Sequence, residues 1–134
     1  MAQFTSGDLV KAHYKTGIYI GEFLEERNNA HLIKVLAVDK HPMQGDLHNP
    51  GQTSEVFFHQ RKALSFQEKA NINKQAVESY DSREPPDYYT SLLDSVEKLK
   101  NKLTRRETEF NQQALHQLED LENQYKRQNR PRSS

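Results

Sequence analysis

Four residues near the middle of the chain carry side chains that could do chemistry. His41, Asp46, His48 and His59 supply imidazole and carboxylate groups, which are the donors that zinc and other divalent metals take in proteins. Their spacing matches no compact metal motif, and in loops these residue types more often cap backbone groups that would otherwise lack partners. We therefore expect no metal and no cofactor. A metal-dependent enzyme at this loop is the third and least favoured hypothesis.

Other catalytic patterns are missing from the sequence. There is no cysteine, no Gly-x-Ser-x-Gly motif and no glycine-rich phosphate loop. Glu25 and Glu26 are adjacent, so on a strand they point to opposite faces and do not form a catalytic pair. The chain is therefore predicted not to be an enzyme.

The composition limits both the size of the core and the class of partner. The 134 residues are 34% hydrophobic with a mean hydropathy of -1.02, which predicts a modest core and an exposed, elongated part. The 19 basic and 19 acidic residues balance, which disfavours nucleic acid as a partner. Without cysteine there is no disulfide and no lipid-modified cysteine. No apolar run approaches the length of a membrane span and the start lacks a signal peptide, so we expect a cytoplasmic protein.

The first part of the chain, residues 1–81, reads as a small SH3-like antiparallel β-barrel. Alternating apolar residues predict strands, Gly21 suggests a bulge or bend, and Arg27-Asn28-Asn29-Ala30 predicts a hairpin turn. A single helical turn is expected at Ala70–Lys74. The predicted strands are Asp8–Tyr14, Ile18–Leu24, a central His31–Val38, Val56–Phe58 with Lys62–Gln67, and Gln75–Tyr80.

The second part, residues 82–134, reads as a helical hairpin with a disordered tail from Arg127. Pro85 and Pro86 end the strands, and apolar residues then recur at helical spacing. Thr104-Arg105-Arg106-Glu107 has the form of a capping box, which predicts that a second helix starts there. Two narrow stripes should pack on each other, although Tyr88, Tyr89 and Leu93 widen the first one enough to allow a partner or a homo-oligomer. The stripes are Tyr88, Leu92, Val96, Leu99 and Leu103, then Phe110, Ala114, Leu118, Leu121 and Tyr125.

Aromatic residues on the first strands support the alternative function. Tyr14, Tyr19 and Phe23 could form a cage for a methylated cation, as in a Tudor-like module, or serve a nucleic-acid-binding SH3-like module. Aromatic residues on barrel strands are more often core, and we favour that interpretation.

The loop that begins at His41 is the candidate protein-binding element. It is longer than a structural connector needs to be, and it mixes apolar with polar side chains as small protein interfaces do. The alternative is that Met43 and Leu47 fold back and plug one end of the barrel. The candidate binding residues are His41, Met43, Gln44, Asp46, Leu47 and His48.

Several segments resemble the kinase-associated protein B family of spore-forming Gram-positive bacteria. The resemblance covers roughly residues 5 to 125 and is most specific in the loop. It rests on Gly7–Glu22, His41–Pro50, Phe57–Leu64, Ala70–Lys74 and Pro86–Tyr88.

This resemblance implies a non-enzymatic positive regulator of sporulation. Its partner would be a sensor histidine kinase or another phosphorelay protein, which could bring it to the cytoplasmic face of the membrane. The resemblance also implies an antiparallel barrel with a helical extension. Family members are sometimes labelled lipoproteins, a label we expect not to apply to a chain without cysteine. It implies no catalytic residues.

Overall fold

A computed structural model describes residues 4–45 and 60–128 of the chain. Among these residues five strands precede two helices, which confirms the predicted fold class of antiparallel strands followed by helices. A 3-10 helix at Lys74–Ala76 separates the last two strands. The elements are β1 Leu9–Tyr14, β2 Gly17–Arg27, β3 Ala30–Lys40, β4 Lys69–Asn73, β5 Val77–Ser79, α1 Tyr88–Leu103 and α2 Glu109–Gln128.

The five strands form one antiparallel sheet in the order β4-β3-β2-β1-β5. The first three strands are a meander, and β5 returns to pair with the free side of β1, where Ala12 faces Val77. β3 lies inside the sheet between β2 and β4, as its apolar character on both faces predicted. An inner strand can pair its backbone on both sides, which β3 does with β2 and β4 over Ala30–Lys34.

Local sequence signals set the bends of β2 and β3. Asn28 has a φ of 50° and forms the tight hairpin turn with Asn29, since asparagine tolerates the left-handed region. The β2–β3 register shifts between Ile20 and Gly21, which confirms the predicted bulge. A Cβ on Gly21 would lie 2.6 Å from Lys34 O, so only glycine allows this approach.

Residues of all five strands form a buried apolar cluster. Alternate residues of β1 and their neighbours face inward, as the period of a strand requires. Phe4, Tyr14, Ala70 and Ala76 pack against the cluster. The cluster consists of Val10, Ala12, Phe23, Ile33, Ile72 and Val77.

The region after the loop differs from the prediction. Lys69–Asn73 is a strand, where a helical turn was predicted, because Ala70 and Ile72 alternate with polar residues. The Asn73 side chain accepts from Gln75 N at 2.9 Å, which starts the short helix at Lys74 instead. Lys62–Gln67 is not a strand, and it ends in a turn at Phe66 and Gln67. Gln67 has a φ of 67°, which is outside the range of a strand. The predicted strand Val56–Phe58 lies outside the described residues.

The helices carry the predicted stripes, but α2 starts later than predicted. Thr104 is not its N-cap: the Thr104 hydroxyl donates to Asn101 O at 2.9 Å and so belongs to the end of α1. Thr108 caps α2 instead, since its Oγ1 accepts from Asn111 N at 3.0 Å. α2 also continues through Arg127 to Gln128, where the tail was expected to begin. Residues 129–134 lie outside the described part.

Two compact units divide the chain. The first comprises Met1–Pro42 and Ala63–Ser95, and the second comprises Met43–Lys62 and Val96–Ser134. In the first, Val38 N donates to Ser91 Oγ at 3.0 Å, which joins β3 to the start of α1. In the second, Lys100 Nζ donates to Glu122 Oε1 at 3.1 Å, which joins the end of α1 to α2. The predicted domain boundary at residue 81 stays a prediction.

Candidate functional site

His41, the first candidate residue of the loop, is an interior residue. Its side chain is fully buried, and Nδ1 lies 2.9 Å from Pro42 O. A carbonyl can only accept, so Nδ1 is a ring nitrogen that carries a proton. Burial is the main cause that lowers the pKa of His41 to about 4, against a smaller opposing effect of the Pro42 hydrogen bond. His41 is thus a buried polar residue of the first unit.

Gln44 closes the base of the loop in the second unit. Gln44 is 4% exposed, and its side-chain amide both donates to and accepts from the backbone of Arg61. Arg61 N donates to Gln44 Oε1 at 2.8 Å, and Gln44 Nε2 donates to Arg61 O at 2.9 Å. Arg61 Nε also donates to Gly45 O at 3.1 Å. These three bonds fasten the two ends of the loop to each other.

The neighbouring Gln60 fastens the same base to α2. Gln60 Nε2 donates to Asp120 Oδ2 at 2.8 Å and to Gln117 O at 3.2 Å. The bond from Gln60, followed by the one from Gln124, lowers the pKa of the Asp120 carboxyl, because donors favour the charged form. The described residues on either side of the loop thus form a hydrogen-bonded platform within the second unit, which we call the loop platform. It consists of Gln44, Gln60, Arg61 and α2.

The remaining loop candidates divide into described and undescribed residues. Met43 is half-buried. Asp46, Leu47 and His48 lie outside the described residues, as does His59. The role of the six candidates in binding stays a prediction. Two of them, His41 and Gln44, are buried.

Sequence reasoning missed Arg61 and Gln60. Their contacts join residues far apart in the chain, and no local pattern marks them. The only signal was a pair of polar residues that follows the loop directly.

The described residues include only part of the alternative metal site, since Asp46, His48 and His59 lie outside them. In the ranges 4–45 and 60–128, no three His, Asp or Glu side chains are placed to hold a metal. Tyr19 and Phe23 are 1% and 6% exposed, so their rings offer no face to a methylated cation. The preferred core interpretation of these two aromatic residues agrees with their burial.

Two tyrosines instead hold the chain segment that follows the loop. Tyr88 Oη donates to Leu64 O at 2.5 Å, and Leu64 N donates to Tyr19 Oη at 3.3 Å. Both polar groups of the Leu64 backbone are thus paired. The next turn presents Phe66, which is 51% exposed and lies 5.6 Å from the Tyr88 ring.

His31 is a further buried histidine that the sequence did not single out. Its ring is edge-on to Phe23 and to Phe4, at 5.1 and 5.5 Å between centroids. Among the residues that the structure describes, Nδ1 has no hydrogen-bond partner. Burial, followed by the charge of Lys74, lowers the pKa of His31, while Glu26 opposes the shift. The ring therefore serves as a mainly apolar wall of the core.

These features define a class of protein: a small antiparallel sheet of SH3-like strand order, followed in the chain by two helices, the second of which is hydrogen-bonded to the loop platform. Family comparison assigns the chain within that class. The model of the family "Kinase associated protein B" matches residues 14–126, and the chain belongs to this family.

Individual relatives agree with the family assignment. The chain is 45% identical over 125 residues to "Kinase-associated lipoprotein B" of Bacillus subtilis strain 168, which covers 93% of this chain and 97% of that protein. It is similar to the crystal structure of kinase-associated protein B from Bacillus cereus, with a TM-score of 0.78 and 36% identity over 92% of this chain and 99% of that one. Neither helix of the described residues is long and apolar enough to cross a membrane.

Proposed function

We propose that this protein is a non-enzymatic regulator that promotes sporulation signalling by contact with a sensor histidine kinase or another phosphorelay protein. The observation that carries the proposal is the family match over residues 14–126, since the family is named for its association with a kinase. The relative at 45% identity is also named as kinase-associated, and the match covers 97% of its length. The protein acts in the cytoplasm and reaches the inner membrane surface through its kinase partner.

The loop platform supports a recognition role for the loop. Gln44 and Arg61 fix its two ends, and Gln60 ties them to α2. A rigid base that holds a longer segment is a common arrangement for binding loops, because the scaffold sets the position while the loop supplies the contact residues. Within this proposal Asp46, Leu47 and His48 contact the partner, with Met43 at their edge, and His41 and Gln44 hold the loop in place.

The test measures the kinase directly. The purified cytoplasmic part of the host's sporulation sensor kinase is incubated with labelled ATP, with and without this protein, and autophosphorylation and complex formation are followed. We expect a complex, a changed rate of kinase labelling and no label on this protein. Failure to bind the kinase and every other phosphorelay protein would disprove the proposal.

A loop variant then distinguishes a loop that binds the kinase from one that folds back and closes one end of the barrel. The double variant D46A/H48A should keep the melting temperature and weaken kinase binding. Gln112→Ala on the exposed part of α2 is the matched control. Unchanged binding per folded molecule would show that the loop does not recognise the kinase.

A further inference from the structure

The junction of the two helices is strongly basic in an otherwise neutral chain. The segment from Lys98 to Arg106 holds five basic residues and no acidic one, while the whole chain has a formal net charge of zero. The segment comprises the last turns of α1 and the connection to α2. Its charge is therefore a local feature of one end of the second unit.

Four of these five cations are not used inside the described structure. Lys100 is the exception, since its Nζ lies 3.8 Å from Glu97 and 3.1 Å from Glu122. The other four are exposed, and within residues 4–45 and 60–128 their side chains make no hydrogen bond or ion pair. We call Lys98, Lys102, Arg105 and Arg106 the basic surface.

The backbone beneath the basic surface is held firmly. Asn111 Nδ2 donates to Leu103 O at 3.2 Å and to Arg106 O at 3.0 Å, so one α2 side chain spans the connection. Lys98 and Lys102 are four residues apart on α1, hence about 6 Å apart along one helix face. Arg105 N donates to Lys102 O at 3.3 Å, which continues that face into the connection. The four cations thus project from a fixed backbone.

Cations in the last turn of a helix also stabilise the helix dipole. That role needs one or two of them near the last carbonyls and does not account for Arg105 and Arg106, which follow the helix. A surplus of exposed, unpaired cations fits an anionic partner.

We infer that the basic surface binds a carboxylate-rich surface of a partner protein; this rests on the proposed function, which makes the partner a protein. Glu97 and Glu107 border the segment on both sides. A uniformly anionic membrane would repel these two carboxylates, whereas discrete carboxylates on a protein can be placed to avoid them. The one exposed large hydrophobic among the described residues, Phe66, belongs to the first unit, so this end offers no large exposed apolar group for insertion into lipid. Four cations are also few for a nucleic-acid site, where 6–10 phosphate contacts are common.

The first experiment uses the full chain and a fluorescent oligoglutamate peptide as probe. Wild type should bind the peptide at about 50 mM salt and lose it at about 300 mM, where charges are screened over a shorter distance. The triple variant K98E/K102E/R105E should bind at least about tenfold more weakly. The control K40E/K69E/R83E carries the same net charge and should bind like wild type. Because reversal could disturb α1, the variant K98Q/K102Q/R105Q is measured beside it, with the melting temperature of each.

Several results would overturn the inference. They are no binding of the peptide by wild type, equal losses in the control, or loss only in variants that melt early. Binding to vesicles of phosphatidylglycerol and phosphatidylcholine, or to a DNA duplex, without binding to the peptide would assign the surface to lipid or nucleic acid instead.

A second experiment separates this inference from the proposed function. The same variants are tested for binding to the purified kinase part. If wild type binds the kinase and the Gln variant binds it equally well, the proposed function stands and the basic surface is not its contact. If wild type fails to bind the kinase but binds the peptide as described, the proposed kinase contact fails while the acidic-partner chemistry stands.

Discussion

Gln44 and Arg61 pair as two strand residues would, although one of them contributes only a side chain. The Arg61 amide donates to Gln44 Oε1 at 2.8 Å, and its carbonyl accepts from Gln44 Nε2 at 2.9 Å. An amide side chain is the only kind that can both donate and accept in this geometry. The sequence separation of the pair is long, so it closes the loop at its base.

Removing the Gln44 side chain should destabilise the protein. The variant Q44A leaves the Arg61 N–H and C=O without these partners in a partly buried place, and an unmade bond of this kind costs about 1–3 kcal/mol. Urea unfolding measures the loss. Q112A on the exposed part of α2 should change stability by less than about 0.5 kcal/mol. Equal stability of the two variants would show that the Gln44–Arg61 pair contributes nothing.

Gly21 should not tolerate a side chain. A Cβ there would meet Lys34 O and Ile33 Cγ2, each at 2.6 Å, and the first is a backbone atom that cannot turn away. G21A should therefore lose about 3 kcal/mol or more of stability. G17A should lose less, since the nearest atom is the Tyr19 hydroxyl at 2.7 Å, the far end of a side chain. Thermal unfolding of the two variants tests the order, and G21A at least as stable as G17A would contradict it.

The start of α2 gives a prediction with a built-in control. Thr108 Oγ1 accepts from Asn111 N at 3.0 Å, so T108A should lose about 1 kcal/mol. T104A removes the threonine of the capping-box sequence, whose hydroxyl instead donates to Asn101 O at 2.9 Å, and should lose much less. Unfolding of both variants in urea decides between the two caps. A larger loss in T104A would restore Thr104 as the N-cap.

The sequence predicted the fold because its signals are local. The alternation in β1–β3, the Asn28-Asn29 turn and the apolar stripe of each helix are patterns within short stretches of sequence. Two prolines marked the change from strands to helices. The crystal structure of a relative in the assigned family has a similar fold.

The errors come from competing local signals. Lys69–Asn73 is short and polar, and its two apolar residues do not separate a strand from a helical turn. Thr104 and Thr108 both precede helical sequence. The hydrogen bond from Asn111 N to Thr108 that identifies the N-cap is a feature of the structure and cannot be read from the sequence.

The candidate site was less predictable because its geometry depends on distant residues. The sequence marked the loop as unusual but could not show that His41 and Gln44 turn inward, since burial is set by the whole fold. Neither could it show that His31 packs edge-on against Phe4 and Phe23, with Nδ1 lacking a hydrogen-bond partner in the described part of the chain.

The last prediction concerns acid stability and follows from His41. Its pKa is about 4 in the folded protein, below the ordinary value of 6.5, so the unfolded chain takes up the proton more readily. The free energy of unfolding is therefore not reduced by His41 above about pH 6.5, and it falls as the pH drops from 6.5 toward 4, where only the unfolded chain is protonated at this ring. At about 1.4 kcal/mol for each pKa unit, protonation of His41 in the unfolded chain should lower the free energy of unfolding by about 3 kcal/mol over that range. Denaturant unfolding at a series of pH values measures this loss.

The comparison variants isolate His41 from the carboxylates, which also protonate in acid. H41N lacks the titrating ring and should be less stable at pH 7, because it leaves Pro42 O without the same donor and alters packing. Its stability should nevertheless fall less between pH 6.5 and 4 than that of wild type. H116N, at an exposed position on α2, should follow the wild-type curve. Parallel curves for wild type and H41N would show that the fold does not hold His41 in the neutral form against acid.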